Sequence, residues 1–212
     1  MVKPYNQMKQ LGDNSTEEKI LDAAKEVFMK HGLYGARMQD IADTAGINKA
    51  LLHYYFRNKE KMFDKVFDGA LAKFFEQLDV FSNNELSVKK RLFIYIDNII
   101  EFYAEYPQMS MFIIKEIGNN PEIFKEKVHV AKKNKTLRLI HVLEDGMKNG
   151  EIKKIDSAMF MINLQSLCSF PFLASPMFKY SLKAQGKDWE KDFNSEKLKQ
   201  SVKNFVEFTL GK

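Results

Sequence analysis

Residues 38–56 read Met38-Gln-Asp-Ile-Ala-Asp-Thr-Ala-Gly-Ile-Asn-Lys-Ala-Leu-Leu-His-Tyr-Tyr-Phe56, and this stretch decides the fold. Ile41 and Ala42 lie on one face of a short helix running from about Met38 to Ala45. Gly46 supplies a turn, apolar Ile47 follows it, and Asn48 is a residue type that caps a new helix through its side-chain oxygen. In that third helix, ending near Tyr55, Leu52 and Phe56 are one turn apart and face inward. Two short helices joined by a tight glycine turn, with small Ala42 where the chain passes close to itself, are the elements of a helix-turn-helix. Asn48, Lys49, Ala50, His53 and Tyr54 are left on or near the outer side of the third helix. They are polar, hydrogen-bonding or small, as contacts with base edges and phosphates in a major groove require.

Working outward, Ser15 and Glu18 have capping-box spacing, so a first helix is expected from Ser15 to Gly32. Ile20, Ala23, Ala24, Val27 and Phe28 form its apolar stripe. Asn58 caps a fourth helix expected to reach about Phe81. Beyond Ser82-Asn83-Asn84, larger helices are expected over Ser87–Tyr106, Met109–Ile117 and from Pro121 to about Lys148. A further helix, capped by Asp156, covers Ser157–Phe178, with Pro171 and Pro176 kinking or ending it. Asn194 or Ser195 caps a last helix reaching Thr209. No stretch alternates apolar and polar residues at strand length, and the fold class is all-α: an N-terminal three-helix domain over residues 1–62, helix four bridging to about 81, and a C-terminal helical bundle over 63–212.

At these positions the sequence resembles the tetracycline-repressor (TetR) family. The residues that carry the resemblance are Ile20-Leu-Asp-Ala-Ala, Phe28, His31-Gly32, Asp40-Ile-Ala, Ala45-Gly-Ile-Asn-Lys, Leu52-His-Tyr-Tyr-Phe and Asn58-Lys-Glu-Lys-Met-Phe. They span Glu18 to about Val66; the remainder matches in length and helical layout only. The resemblance implies that Asn48–Tyr55 is a DNA recognition helix, with Lys49, Ala50 and Tyr54 reading sequence. It also implies that His53 and Tyr55 touch phosphate, and that Lys59 adds a phosphate contact at the start of helix four. Arg37 departs from the family's Ser or Thr: a cap for helix two is lost and a cation is gained, while Gln39 is placed to meet a base or a phosphate. These nine residues are the expected DNA contacts, and each also has an ordinary alternative as packing or solvated surface.

Net charge alone does not argue for DNA. The chain carries +5 overall, yet residues 1–80 hold 12 basic and 12 acidic residues, so the excess lies elsewhere. Locally, Lys30 to Lys61 hold six basic residues against three acidic ones, which restores a positive field near the motif. The single cysteine, Cys168, excludes an internal disulfide framework, and the polar N-terminus lacks a signal-peptide core, so a cytoplasmic protein is expected. Residues 157–178 carry no charge over about the length that spans a bilayer, but Asn163, Gln165 and several serines and prolines interrupt them. A helix buried between protein surfaces is expected there, with no membrane partner.

The C-terminal half is rich in Phe, Met, Ile and Tyr at helical spacing, which suits a pocket for a small, largely apolar molecule and equally suits ordinary core. The candidate pocket residues are Phe102, Tyr103, Phe112, His141, Asn163 and Leu167. The resemblance places dimerisation on the uncharged helix and the last helix, giving Phe160, Leu164, Cys168 and Phe205 as candidate interface residues of a homodimer. A symmetric dimer would set two recognition helices in successive major grooves of a palindromic double-stranded operator. The basic run Lys125, Lys127, Lys132, Lys133, Lys135 and Arg138 is expected to be a solvated face. No nucleophile–base pair, phosphate-binding glycine loop or metal-ligand cluster is legible, so no catalysis, cofactor or metal is expected. The expected function is a ligand-responsive DNA-binding transcriptional regulator, a repressor released from its operator by its ligand; the alternative is a helical small-molecule or lipid-binding protein that does not bind DNA.

Overall fold

A computed structural model describes residues 5–122 and 138–211; for residues 5–14 and for residue 190 only the backbone is described. All regular elements among the described residues are helices, as expected. In order they are α1 (Tyr5–Gly35), α2 (Met38–Ala45), α3 (Lys49–Tyr55), α4 (Lys59–Glu76), α5 (Val88–Glu105), α6 (Pro107–Asn119), α7 (Arg138–Lys148), α8 (Ser157–Leu173), α9 (Ser175–Ala184), α10 (Trp189–Asp192) and α11 (Ser195–Leu210), with a 3-10 turn over Asp79–Ser82. Two compact units result. One takes in the chain up to Leu71 with Phe112–Asn119; the other takes in Ala72–Met111 and the residues from Asn120 onward.

Local chemistry sets most helix boundaries. Ser87, Asp156 and Asn194 each accept a hydrogen bond from the backbone N–H three residues on, at 3.2, 3.0 and 2.8 Å, satisfying a donor that the first helical turn leaves open. Asn58 accepts from the N–H groups of both Glu60 and Lys61. The expected continuous helix over residues 157–178 is two helices, α8 and α9, bent by 69° at Ala174. Pro171 is accommodated inside α8, and Pro176 opens α9, where its missing N–H costs nothing. No single helix among the described residues is long and apolar enough to cross a membrane. Two other expectations need correction. The first helix begins at Tyr5, upstream of Ser15. Helix four stops at Glu76, and the 3-10 turn takes up the residues to Phe81. Of the helix expected from Pro121 to about Lys148, residues 121–122 and Arg138–Lys148 are helical; residues 123–137, with five of the six residues in the basic run, lie outside the described residues.

In the first unit, Ile20, Ala24, Phe28, Ile41, Ala42 and Leu52 have no exposed surface and form the core of the helix-turn-helix. Phe63 continues this core by stacking with Phe67 at 5.7 Å and meeting Phe28 edge-on at 5.2 Å. In the second unit α5 packs against α8 and α11, and α8 also meets α7 and α11. Ion pairs line the α5–α11 seam: Lys199 bonds both Glu101 and Glu196 at 2.6 Å, and Lys203 bonds Asp97 at 2.5 Å.

Candidate functional site

The recognition element is a seven-residue helix that could not hold itself together in water. Three contacts fix it. Gly46, at φ 63°, turns the chain after α2, and Ile47 N–H donates to the Ala42 carbonyl at 3.0 Å. Left-handed backbone of this kind is what glycine accepts without strain. Asn48 Oδ1 then accepts from Leu51 N–H at 2.8 Å and starts α3. Leu52 alone of the α3 residues is buried, anchoring the helix against α2.

That single anchor leaves most of the helix surface free. Lys49, Ala50, His53 and Tyr54 are exposed, Tyr54 to 74%. Lys49 and His53 are one turn apart, as are Ala50 and Tyr54, so they form two adjacent rows on one face. Tyr55 is half-buried and meets Tyr54 edge-on at 5.3 Å. Arg37 occupies the cap position of α2, is exposed, and makes no side-chain cap bond. Gln39 is exposed, but its amide donates to Asp43 Oδ1 at 2.8 Å, and Lys59 is half-buried with its ammonium on the Ala36 carbonyl at 3.0 Å. Both have a structural partner that the sequence did not announce. Leu51, 37% exposed on the same helix, and exposed Arg57 were not anticipated; outward position on a helix with one buried residue is the signal that finds them.

The second unit contains an apolar cavity of about 330 Å³ lined by Phe74, Leu78, Tyr95, Leu139, Met161, Ile162, Leu164, Gln165, Ser166 and Ser169. Its polar feature is Gln165, whose Oε1 accepts from the Tyr95 hydroxyl and whose Nε2 donates to the Tyr103 hydroxyl, each at 2.5 Å. Burial pushes the Tyr95 phenol well above its ordinary range, with Cys168 and Tyr103 adding to the effect. Burial likewise pushes the Cys168 thiol up to about 12. These groups are therefore uncharged at neutral pH.

The expected pocket residues do not come together in this cavity. Tyr103 reaches it only through Gln165, and Phe102 packs on Phe74, a wall residue, at 6.1 Å. Phe112 belongs to the first unit and packs on Phe63 and Phe67. His141 is exposed and lines a separate, polar cleft with Arg91, Arg138 and Asp145. Asn163 and Leu167 are exposed on α8, off the cavity wall. Of the expected interface residues, Leu164 and Cys168 have no exposed surface within one chain, Phe160 is 3% exposed, and Phe205 stacks on Phe160 at 6.3 Å. Phe160, Leu164 and Cys168 are interior residues of the single chain and cannot themselves form the outer contact surface, whereas Phe205 is half-buried. α8 instead presents Met159, Ile162, Leu167 and Phe170 outward, and α11 presents Phe208, 86% exposed. Uncharged all round, α8 gave no amphipathic signal to tell its two faces apart.

A helix-turn-helix with a bare recognition face, carried on a chain whose other helices enclose an apolar cavity, defines a DNA-binding regulator with a sensor half. Residues 20–66 match the family model described as bacterial regulatory proteins, tetR family. Over 163 residues the chain is 24% identical to the probable HTH-type transcriptional regulator YttP of Bacillus subtilis, covering 75% of this chain and 78% of that protein. It is 24% identical over 135 residues to the fatty acid metabolism regulator protein of Bacillus subtilis, covering 64% and 70%. Its fold is similar to the crystal structure of the transcriptional regulator FadR from Bacillus subtilis in complex with stearoyl-CoA, at a TM-score of 0.64 and 20% identity, covering 89% of this chain and 96% of that one. Residues 20–66 are thus a helix-turn-helix of the tetR type, and over most of its length the chain is similar to transcriptional regulators.

Proposed function

We propose that this regulator is a repressor that binds a palindromic operator as a homodimer and leaves it when a small, largely apolar molecule enters the second unit. Residues 1–62 form the DNA-binding domain and residues from 63 onward the ligand-binding and dimerisation domain. Lys49, Ala50 and Tyr54 read bases. Arg37, His53, Tyr55 and Lys59 contact phosphates, and Gln39 and Asn48 lie at the edge of the same face. The observation that carries this assignment is the exposure of Lys49, Ala50, His53 and Tyr54 on a helix held by Leu52 alone. Side chains with nothing to pack against inside the protein are free to enter a groove.

The dimer is formed by the apolar outer surface of α8 with α11, where Met159, Leu167, Phe170 and Phe208 would otherwise face water. Ligand shifts the cavity helices, and the spacing of the two recognition helices then no longer matches two successive grooves. A cytoplasmic location accords with a DNA partner. Selection of bound sequences from a random duplex pool, with purified protein at near-physiological salt, tests the proposal. Recovery of a two-fold symmetric site is expected; recovery of no site, from folded and dimeric protein, would overturn it.

A further inference from the structure

The outward surface of α3 is not uniform in chemistry. Leu52 points into the core, so Ala50 and Tyr54 lie on the opposite side of the helix. The 3.6-residue turn puts Leu51 on one flank of that pair and His53 on the other, with Lys49 beyond His53. One flank is therefore polar. The other is apolar: Ala50 and Leu51 are neighbours in the first turn of α3, and both are exposed, Leu51 to 37%. A single exposed leucine is ordinary on a protein surface. This one is set apart by its place beside Lys49, His53 and Tyr54, on the face proposed to enter a major groove.

In a helix-turn-helix the N-terminal part of the recognition helix meets the base edges. Those edges present hydrogen-bond donors and acceptors in the major groove and one apolar group, the C5-methyl of thymine. Most of the Leu51 surface is covered by the protein, so the side chain is already held and loses little freedom when its tip meets a partner. We infer that Leu51, with Ala50 beside it, packs on a thymine methyl, so that each operator half carries a thymine recognised by apolar contact. The inference rests on the proposed DNA-binding function and deepens it by naming the base and the group that is read. Leu51 is a specificity-determining residue. A guanine or cytosine at that position would set a polar edge against a side chain that cannot bond it, and that edge would lose water without compensation.

The test uses the parent protein and the two-fold symmetric duplex recovered from the random pool. Each thymine of a half-site is replaced in turn by uracil, which deletes the methyl and no other atom group, and binding is read by fluorescence anisotropy. At a position equally far from the dyad in both halves, uracil should weaken binding about fourfold in one half-site and about fifteenfold in both, the worth of burying one methyl-sized group each time. Leu51→Ala should bind the thymine duplex more weakly and lose its sensitivity to uracil at that position, as directly coupled groups do in a double-mutant cycle. Leu51→Met, which keeps the apolar volume, should retain that sensitivity. A half-site without thymine, a uracil penalty below about twofold at every position, or a penalty undiminished in Leu51→Ala would each overturn the inference. The scan on the parent protein can overturn it alone, whether or not Leu51→Ala folds as well. A tightly bound site indifferent to its methyls overturns this inference and leaves the DNA assignment standing; recovery of no site from folded, dimeric protein overturns both.

Discussion

Replacing Asn48 separates two jobs that fall on one side chain. Its Oδ1 caps α3 at 2.8 Å from Leu51 N–H, and the same residue sits at the edge of the proposed DNA-facing surface. Asn48 is exposed, so Asn48→Ala removes no packing and its cost is the cap: about 1 kcal/mol. For a chain of this size that lowers the melting temperature by roughly 2–4 °C. The loss should be felt locally as well, because α3 has only Leu52 to hold it once its first turn frays. Asn48→Asp restores a capping oxygen and puts negative charge at the positive end of a helix, so it should melt at or above the parent temperature. Beside operator phosphates, however, that charge costs about 1 kcal/mol, or roughly fivefold in affinity per recognition helix. Thermal melting followed by circular dichroism, with operator titration by fluorescence anisotropy, reads both effects. An Asn48→Ala melting temperature equal to the parent's would refute the capping argument. An Asn48→Asp protein that binds operator as well as the parent would refute the placement of this residue near phosphate.

Three further outcomes are expected. The double variant Lys49→Ala with Tyr54→Ala should fold with a melting temperature within about 1 °C of the parent, since both residues are exposed, and should lose more than about tenfold in operator affinity with a shallower salt dependence, read by titration at several salt concentrations. Gly32→Ala should destabilise by about 1–3 kcal/mol in a denaturant melt, because Gly32 sits at φ 68° and an added Cβ would lie 2.9 Å from Glu116 Oε1. Cys168 should resist alkylation at pH 8 in the native protein and react once unfolded; because its pKa rises from 9.0 to about 12 on folding, the unfolded chain gives up the proton first, and stability should fall as pH climbs from 9 toward 12, a slope that Cys168→Ala removes.

Much of the helix-turn-helix was legible because its determinants are local. Gly46, Asn48 and Asn58 each act on backbone within a few residues of themselves, and Leu52 announces its burial by spacing from Phe56. The start of α1 was less so: Ser15 and Glu18 have cap spacing, but a helix already under way at Tyr5 overrides it. The bend at Ala174 was legible from Pro171 and Pro176 only as a bend somewhere among them. What sequence could not reveal was which side of α8 faces in. With no charged residue to mark the wet face, Leu164 and Cys168 looked no different from Met159 and Leu167, and tertiary contact with α5 and α11 decided between them. The cavity wall is assembled from α4, α5, α7 and α8 and the turn after α4, so its membership depends on long-range packing that no local pattern encodes. Gln165 stood out in the sequence only as a polar interruption in an uncharged helix; its tyrosine partners lie 62 and 70 residues away.

The most direct test of DNA-directed regulation is a specificity ratio. The full-length protein is titrated at about 150 mM salt against its selected duplex and against a scrambled duplex of the same composition. The account predicts a preference of about 10³-fold or more for the selected site, reduced to near the scrambled value by Lys49→Ala with Tyr54→Ala. Equal affinity for the two duplexes would contradict it.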